Sequence, residues 1–148
     1  MTLAQVETAL YEQDYLLWLE QVVEQLRRKD FNGLDIPNLL EEIDDLGKSE
    51  KHAVASYLMH LCKHLLKLKY WDTESDRGFR GWAVEVTNFR LQLQRRLKAS
   101  PSLKVYLENI FDEEYSNGRM LFLNASGSKH QRVPEKPWFA LENALDHQ

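Results

Sequence analysis

Asp35-Ile-Pro-Asn-Leu-Leu-Glu-Glu-Ile-Asp-Asp-Leu-Gly-Lys-Ser-Glu-Lys51, running on to His64-Leu65-Leu66-Lys67, is the stretch that decides the fold. Asp35 has the short acceptor side chain of an N-cap, and Pro37 falls in the first turn, where a missing N–H costs nothing. Glu41, Glu42, Asp44 and Asp45 crowd the first turns while Lys63, Lys67 and Lys69 crowd the last, as the helix dipole favours. Leu39, Ile43, Leu46, Val54, Tyr57, Leu61, Leu65 and Leu68 recur at steps of three and four, the spacing of one buried helical stripe. With no Pro or Gly pair inside, the stretch predicts an unbroken helix from about Ile36 to Leu68. Leu40, Gly47 and Leu58 widen the stripe on one side, and Gly47 would let a neighbouring helix come close. Glu50 is the gap, a charge near the centre of the stripe. His64 lies near its edge, with Glu42 and His60 one step further round.

The rest of the chain supplies elements to pack against that helix. Tyr11, Tyr15, Trp18, Val22 and Leu26 mark a helix from Tyr11 to Lys29, or a shorter one capped by Asp14 and starting at Tyr15. A third helix is predicted from about Phe79 to Ala99, with Phe79, Trp82, Val86, Phe89, Leu93 and Leu97 inward. Ser100 as N-cap and Pro101 at the first helical position would open a fourth. It would use Leu103, Tyr106, Leu107, Ile110 and Phe111, with Asn117-Gly118 a point of interruption before Arg119. Residues 124–137 read as a loop and 138–146 as a short closing helix, with 1–9 a flexible N-terminus. No β-type alternation, repeat or low-complexity tract occurs. The fold class is all-α, a single domain built as a four- to five-helix up-and-down bundle on one long central helix.

Several of these residues also carry a family resemblance. Asp35, Asn38-Leu39, Glu41-Glu42-Ile43, Leu46-Gly47, Ser49-Glu50-Lys51 and His64-Leu65-Leu66-Lys67 resemble the core signature of domain-of-unknown-function family twenty-nine, abundant in cyanobacteria. Tyr11-Glu12-x-Asp14-x-x-x-Trp18 extends the match upstream. Trp82, Arg90, Ser100-Pro101-Ser102-Leu103 and Tyr115 extend it downstream, so that roughly residues 11–145 are covered. Gly81 before Trp82, and Tyr70-Trp71-Asp72 in place of a Gln-Pro type of turn, depart from the pattern. The resemblance implies an all-helical domain and supplies no catalytic residues.

At 148 residues the chain is one domain's worth, and 43% hydrophobic with 28% charged residues is ordinary for a globular protein. No apolar run approaches the roughly 20 residues that span a bilayer, and no secretory signal pattern opens the chain. Cys62, the single cysteine, sits among apolar neighbours and reads as an unreactive buried thiol, so a reducing cytoplasm is the expected location. The net charge of −4 is unevenly spread: −7 over residues 1–62, +6 over 63–104 and −3 over 105–148. Arg77, Arg80, Arg90, Arg95, Arg96, Lys98 and Lys104 form a basic block centred on the third helix. That pattern suits either an acidic neighbour within the bundle or a nucleic acid.

Chemistry is sparse. His60 and His64 stand at i, i+4, the spacing at which two imidazoles can share a metal, but the sequence offers no third ligand. Glu41, Glu42 and Asp45 suggest a magnesium-holding carboxylate cluster, which would need a second acidic pair; Glu85 and Asn88 supply half of one. No glycine-rich phosphate loop, nucleophile elbow or Cys/His pairing occurs, so no cofactor is expected. Glu50 and Arg90 are charges on inward-leaning faces and need partners there. Counting back from a turn near residue 32 sets Glu50 opposite Tyr15, with Arg90 the alternative donor. The candidate polar cluster is therefore Glu42, Glu50, His60, His64 and Arg90. The leading expectation is a non-enzymatic domain that binds a protein partner or itself. A metal-dependent hydrolase using the Glu and His residues, or nucleic-acid binding through the third helix, are the alternatives; no membrane role is expected.

Overall fold

A computed structural model describes residues 10–71, 75–127 and 132–146, and among these no strand occurs. The helices are α1 (Tyr15–Arg27), α2 (Ile36–Tyr70), α3 (Ser75–Ala99), α4 (Leu103–Ser126) and α5 (Leu141–Leu145), with a helical turn over 10–13 ahead of them. The long helix is continuous, as its stripe requires. The chain nevertheless divides into two compact units, Met1–Ser49 and Glu50–Gln148, with the division inside α2.

The first unit is α1, its turn and the opening of α2. Asp14 caps α1 by accepting the Leu17 N–H at 3.0 Å, so the shorter of the two expected helices forms. Lys29 adopts a left-handed φ of 58° in the following turn, and Gln25 donates to the Gly33 carbonyl at 3.0 Å. Asp35 then caps α2, accepting from the Asn38 backbone at 3.4 Å and its side-chain amide at 2.7 Å. Its second oxygen also accepts the Trp18 indole N–H at 3.2 Å, so Asp35 is buried with its hydrogen-bonding capacity used. Among the described residues, Trp18, Val22 and Leu34 form the buried apolar core here, with Leu10, Tyr11, Leu19 and Leu39 partly covering it.

The second unit has the larger core. Tyr57 and His60 meet Phe89, and Glu50 meets Arg96, so α3 runs antiparallel to α2. Lys51 stands over Tyr106 and Trp71 meets Phe122, so α4 runs back alongside α2 in the same direction. Val54, Leu58, Leu61, Cys62 and Leu66 of α2 pack with Val86 and Leu93 of α3 and with Leu107, Tyr115 and Phe122 of α4. Cys62 is fully buried, and that burial, with a smaller contribution from Glu114, pushes its thiol up to about 12. Trp82 is half-buried against Trp71, with Lys67 over its ring.

Four details differ from expectation. Gly47 has open space around it, and the close helix approach occurs at Gly118 instead. A Cβ at Gly118 would lie 2.6 Å from the Met59 carbonyl oxygen and 3.0 Å from the Lys63 nitrogen. Gly118 is thus a contact surface, and α4 continues through Asn117-Gly118 without a break. Leu103 and Lys104 donate to the Ser100 and Pro101 carbonyls, so Ser100–Ser102 forms a turn and the cap of α4 moves to Ser102. Finally, α5 begins at Leu141 because Trp138 and Phe139 are spent on ring contacts with each other, Tyr115 and Phe111. This closing segment is fastened to backbone carbonyls: Arg90 donates to Ala144 at 2.7 Å, Gln94 to Leu145 at 2.6 Å, and Tyr115 to Pro134 at 2.7 Å.

Candidate functional site

The expected polar residues have separate partners. Glu42, in the first unit, accepts one hydrogen bond on each carboxylate oxygen, from the Tyr11 and Tyr15 hydroxyls, both at 2.5 Å. Tyr11 precedes α1 and Tyr15 opens it, which brings both hydroxyls to the same side chain. Those bonds hold the Glu42 carboxyl below its ordinary value. The same bond, with burial next, pushes the Tyr11 phenol up to about 12 and raises Tyr15 as well. A carboxylate with both oxygens engaged and a lowered pKa is a poor proton acceptor, so this group is an anchor between α1 and α2.

Within the second unit, Glu50 pairs with Arg96 at 2.6 Å, in place of either expected donor, Tyr15 or Arg90. The Arg96 guanidinium also lies 5.3 Å from the Tyr57 ring centre, and its Nε is buried without a partner among the described residues. Glu50 and Arg96 lie equally far along the chain from residue 73, the centre about which α2 and α3 pair. Counting across a turn near 75 sets Glu50 opposite residue 100, one helical turn beyond Arg96, so the pair depends on where that turn is centred. Arg90 is occupied by the Ala144 carbonyl, and burial draws its guanidinium down from the usual range.

His60 and His64 both rest against Phe89, with ring centres 5.7 Å and 5.4 Å away. His64 Nδ1 donates to the His60 carbonyl at 2.8 Å, which leaves Nε2 as the lone-pair nitrogen. Burial lowers both imidazoles below their ordinary value, and Lys63 adds to the lowering. Among the described residues no three His, Cys, Asp or Glu side chains are grouped to hold a metal ion. The structure therefore brings the two histidines together with Phe89, and assigns Glu42, Glu50 and Arg90 to three other contacts.

The conspicuous feature is apolar. Ile36, Leu40, Ile43 and Leu46 are 52–72% exposed, although Ile43 and Leu46 were expected to be buried. Ile36, Leu40 and Ile43, at i, i+4 and i+7, share one helix face with Gly47, which has nothing within 4 Å of its Cβ position. α1 packs on the neighbouring side, through Leu39 and Glu42, and leaves this face bare. An open depression lined by Pro37, Leu40, Glu41 and Asp44 borders it. Carboxylates thus rim the apolar residues. Periodicity finds such a stripe but is blind to whether anything covers it; the local density of acids around residues 41–45 is the sequence signal for exposure.

A family model described as "Domain of unknown function DUF29" matches residues 10–148. No curated protein and no solved structure matches the chain.

Proposed function

For a chain that belongs to the DUF29 family, we propose a role as a cytoplasmic, non-enzymatic interaction module whose working surface is the acid-rimmed apolar face at the start of α2. One observation carries this reading: Ile36, Leu40 and Ile43 form an exposed row at the spacing with which helices anchor in one another's grooves. Contiguous exposed apolar surface marks interaction sites, and the rim of Glu41 and Asp44 selects the charge of what binds. The fitting partner is a basic amphipathic helix. No helix of the described residues is long and apolar enough to cross a membrane, which is compatible with a protein partner.

Hydrolysis by a Glu/His centre has less support, because the oxygens of Glu42 are taken by tyrosines and Glu50 is held by Arg96. The test is binding of a fluorescent amphipathic peptide of leucine and lysine, read by anisotropy. The double variant Leu40→Ser, Ile43→Ser keeps every charge and is expected to weaken binding by about tenfold or more, the effect of losing apolar anchors. Equal binding by wild type and variant would show that only charge attracts the peptide, and would overturn the assignment of this face.

A further inference from the structure

We propose that the basic amphipathic helix taken by this face is α3 of a second copy of the same chain. The inference rests on the reading just given and names its partner.

The exposed side of α3 carries the complementary pattern. Arg80, Val84, Thr87, Leu91, Arg95 and Lys98 fall at steps of three and four, and all six are exposed. Val84 and Leu91, 64% and 41% exposed, are seven residues apart, the same separation as Ile36 and Ile43. Thr87 between them turns its hydroxyl back to the Ala83 carbonyl at 3.2 Å, within its own helix. Arg80 stands one turn before Val84, and Arg95 and Lys98 follow Leu91. Among the described residues these three cations have no ion pair, whereas Arg96 on the same helix is held by Glu50 and faces inward.

The α2 face has the same apolar spacing with the opposite charge beside it. Glu41 is likewise without an ion pair among the described residues, and Asp44 bonds only the exposed Lys48 one turn on, at 2.8 Å. The charge is divided between the units. Residues 1–49 hold 4 basic and 11 acidic side chains, for −7, and residues 50–148 hold 15 and 12, for +3. A bare acidic–apolar row and a bare basic–apolar row of equal apolar spacing, on one chain, satisfy each other when two copies meet. The middle of the α3 row is apolar, which favours a protein over a phosphate backbone as its counterpart.

Such a contact joins two different surfaces, so each copy retains one unused half of each kind. It either closes into a ring or reciprocal dimer or grows as a chain. Sedimentation velocity of the whole protein is expected to show mass rising with concentration, and less so at high salt, where exposed charges are screened. Leu40→Lys ruins the α2 face and Leu91→Glu ruins the α3 face, so each variant alone should sediment as a monomer. Mixed in equal amounts, they should form a one-to-one dimer and nothing larger, because only one intact contact is possible per pair.

Persistent association of the Leu91→Glu protein by itself would mean that α2 faces pair with each other, and would overturn the proposal. So would a wild type that stays monomeric at all concentrations. If that monomer still bound the leucine–lysine peptide through Leu40 and Ile43, the interaction face would stand and its partner would be another protein. If it bound neither, both readings would fall. Retention of wild type on DNA, lost in Leu91→Glu without any self-association, would reassign the α3 row to nucleic acid.

Discussion

Leu40 and Leu58 are the same residue on the same helix, and they are 65% and 0% exposed. They stand 58 − 40 = 18 residues apart, five full turns at 3.6 residues per turn, so on an ideal helix they point the same way. Ile36 and Val54, and Ile43 and Leu61, repeat the comparison with the same spacing and the same two outcomes. One continuous apolar row is therefore core from Val54 on and open surface up to Gly47. The difference teaches that the row's chemistry sets only where it could pack. What it packs against is decided by the other helices, and only the second unit has α3 and α4 to cover it.

The largest effect should come from truncating the matched pair. Leu58→Ala opens a cavity in a closed core and should cost about 2–5 kcal/mol, while Leu40→Ala should stay within about 0.5 kcal/mol. Denaturation midpoints of the two variants check this, and similar losses would show that the first half of the row is covered as well.

A smaller effect of opposite signs is expected from the glycines. Gly118→Ala places a methyl group against α2 backbone atoms that cannot swing aside, and should destabilise by about 1–3 kcal/mol. Gly47→Ala adds a methyl group in open space on a helix, where reduced backbone freedom in the unfolded chain should stabilise by about 0.4–1 kcal/mol. Two destabilised variants would contradict the open surroundings assigned to Gly47.

The third test concerns acid. Glu42 is held below its ordinary carboxyl value of 4.5 by the Tyr11 and Tyr15 bonds. A lowered folded-state value means that these bonds contribute fully above the ordinary carboxyl range and are lost as pH falls through the lowered value. The carboxyl carbon of Glu42, followed by NMR, should titrate below free glutamate. It should return toward the ordinary value in Tyr11→Phe, Tyr15→Phe. Glu142 of the second unit, held below its ordinary value by a backbone hydrogen bond and by Lys104, should not respond to those two substitutions.

The long helix, its caps and the all-α class were legible because they are local matters of spacing and end chemistry. Asp14 and Asp35 cap as their positions imply. What local pattern lacked was the neighbour. Gly47 and Gly118 look alike in sequence, yet only one faces a backbone. Glu50 was recognisable as a charge needing a partner, but its donor depended on where α3 begins, and Ser75 starts that helix earlier than Phe79 would have. The tyrosine pair on Glu42 spans 31 and 27 residues of chain, a relation that no window of helical length contains.

Cys62 turns the second unit into its own clock. Its sulfur is sealed in the core and, with its pKa raised to about 12, is almost wholly un-ionised at neutral pH. A thiol reagent can modify it only during excursions in which α2 and α4 part. Where the reagent reacts faster than the helices reclose, the rate of labelling equals the rate of those openings, with no second thiol to confuse the signal.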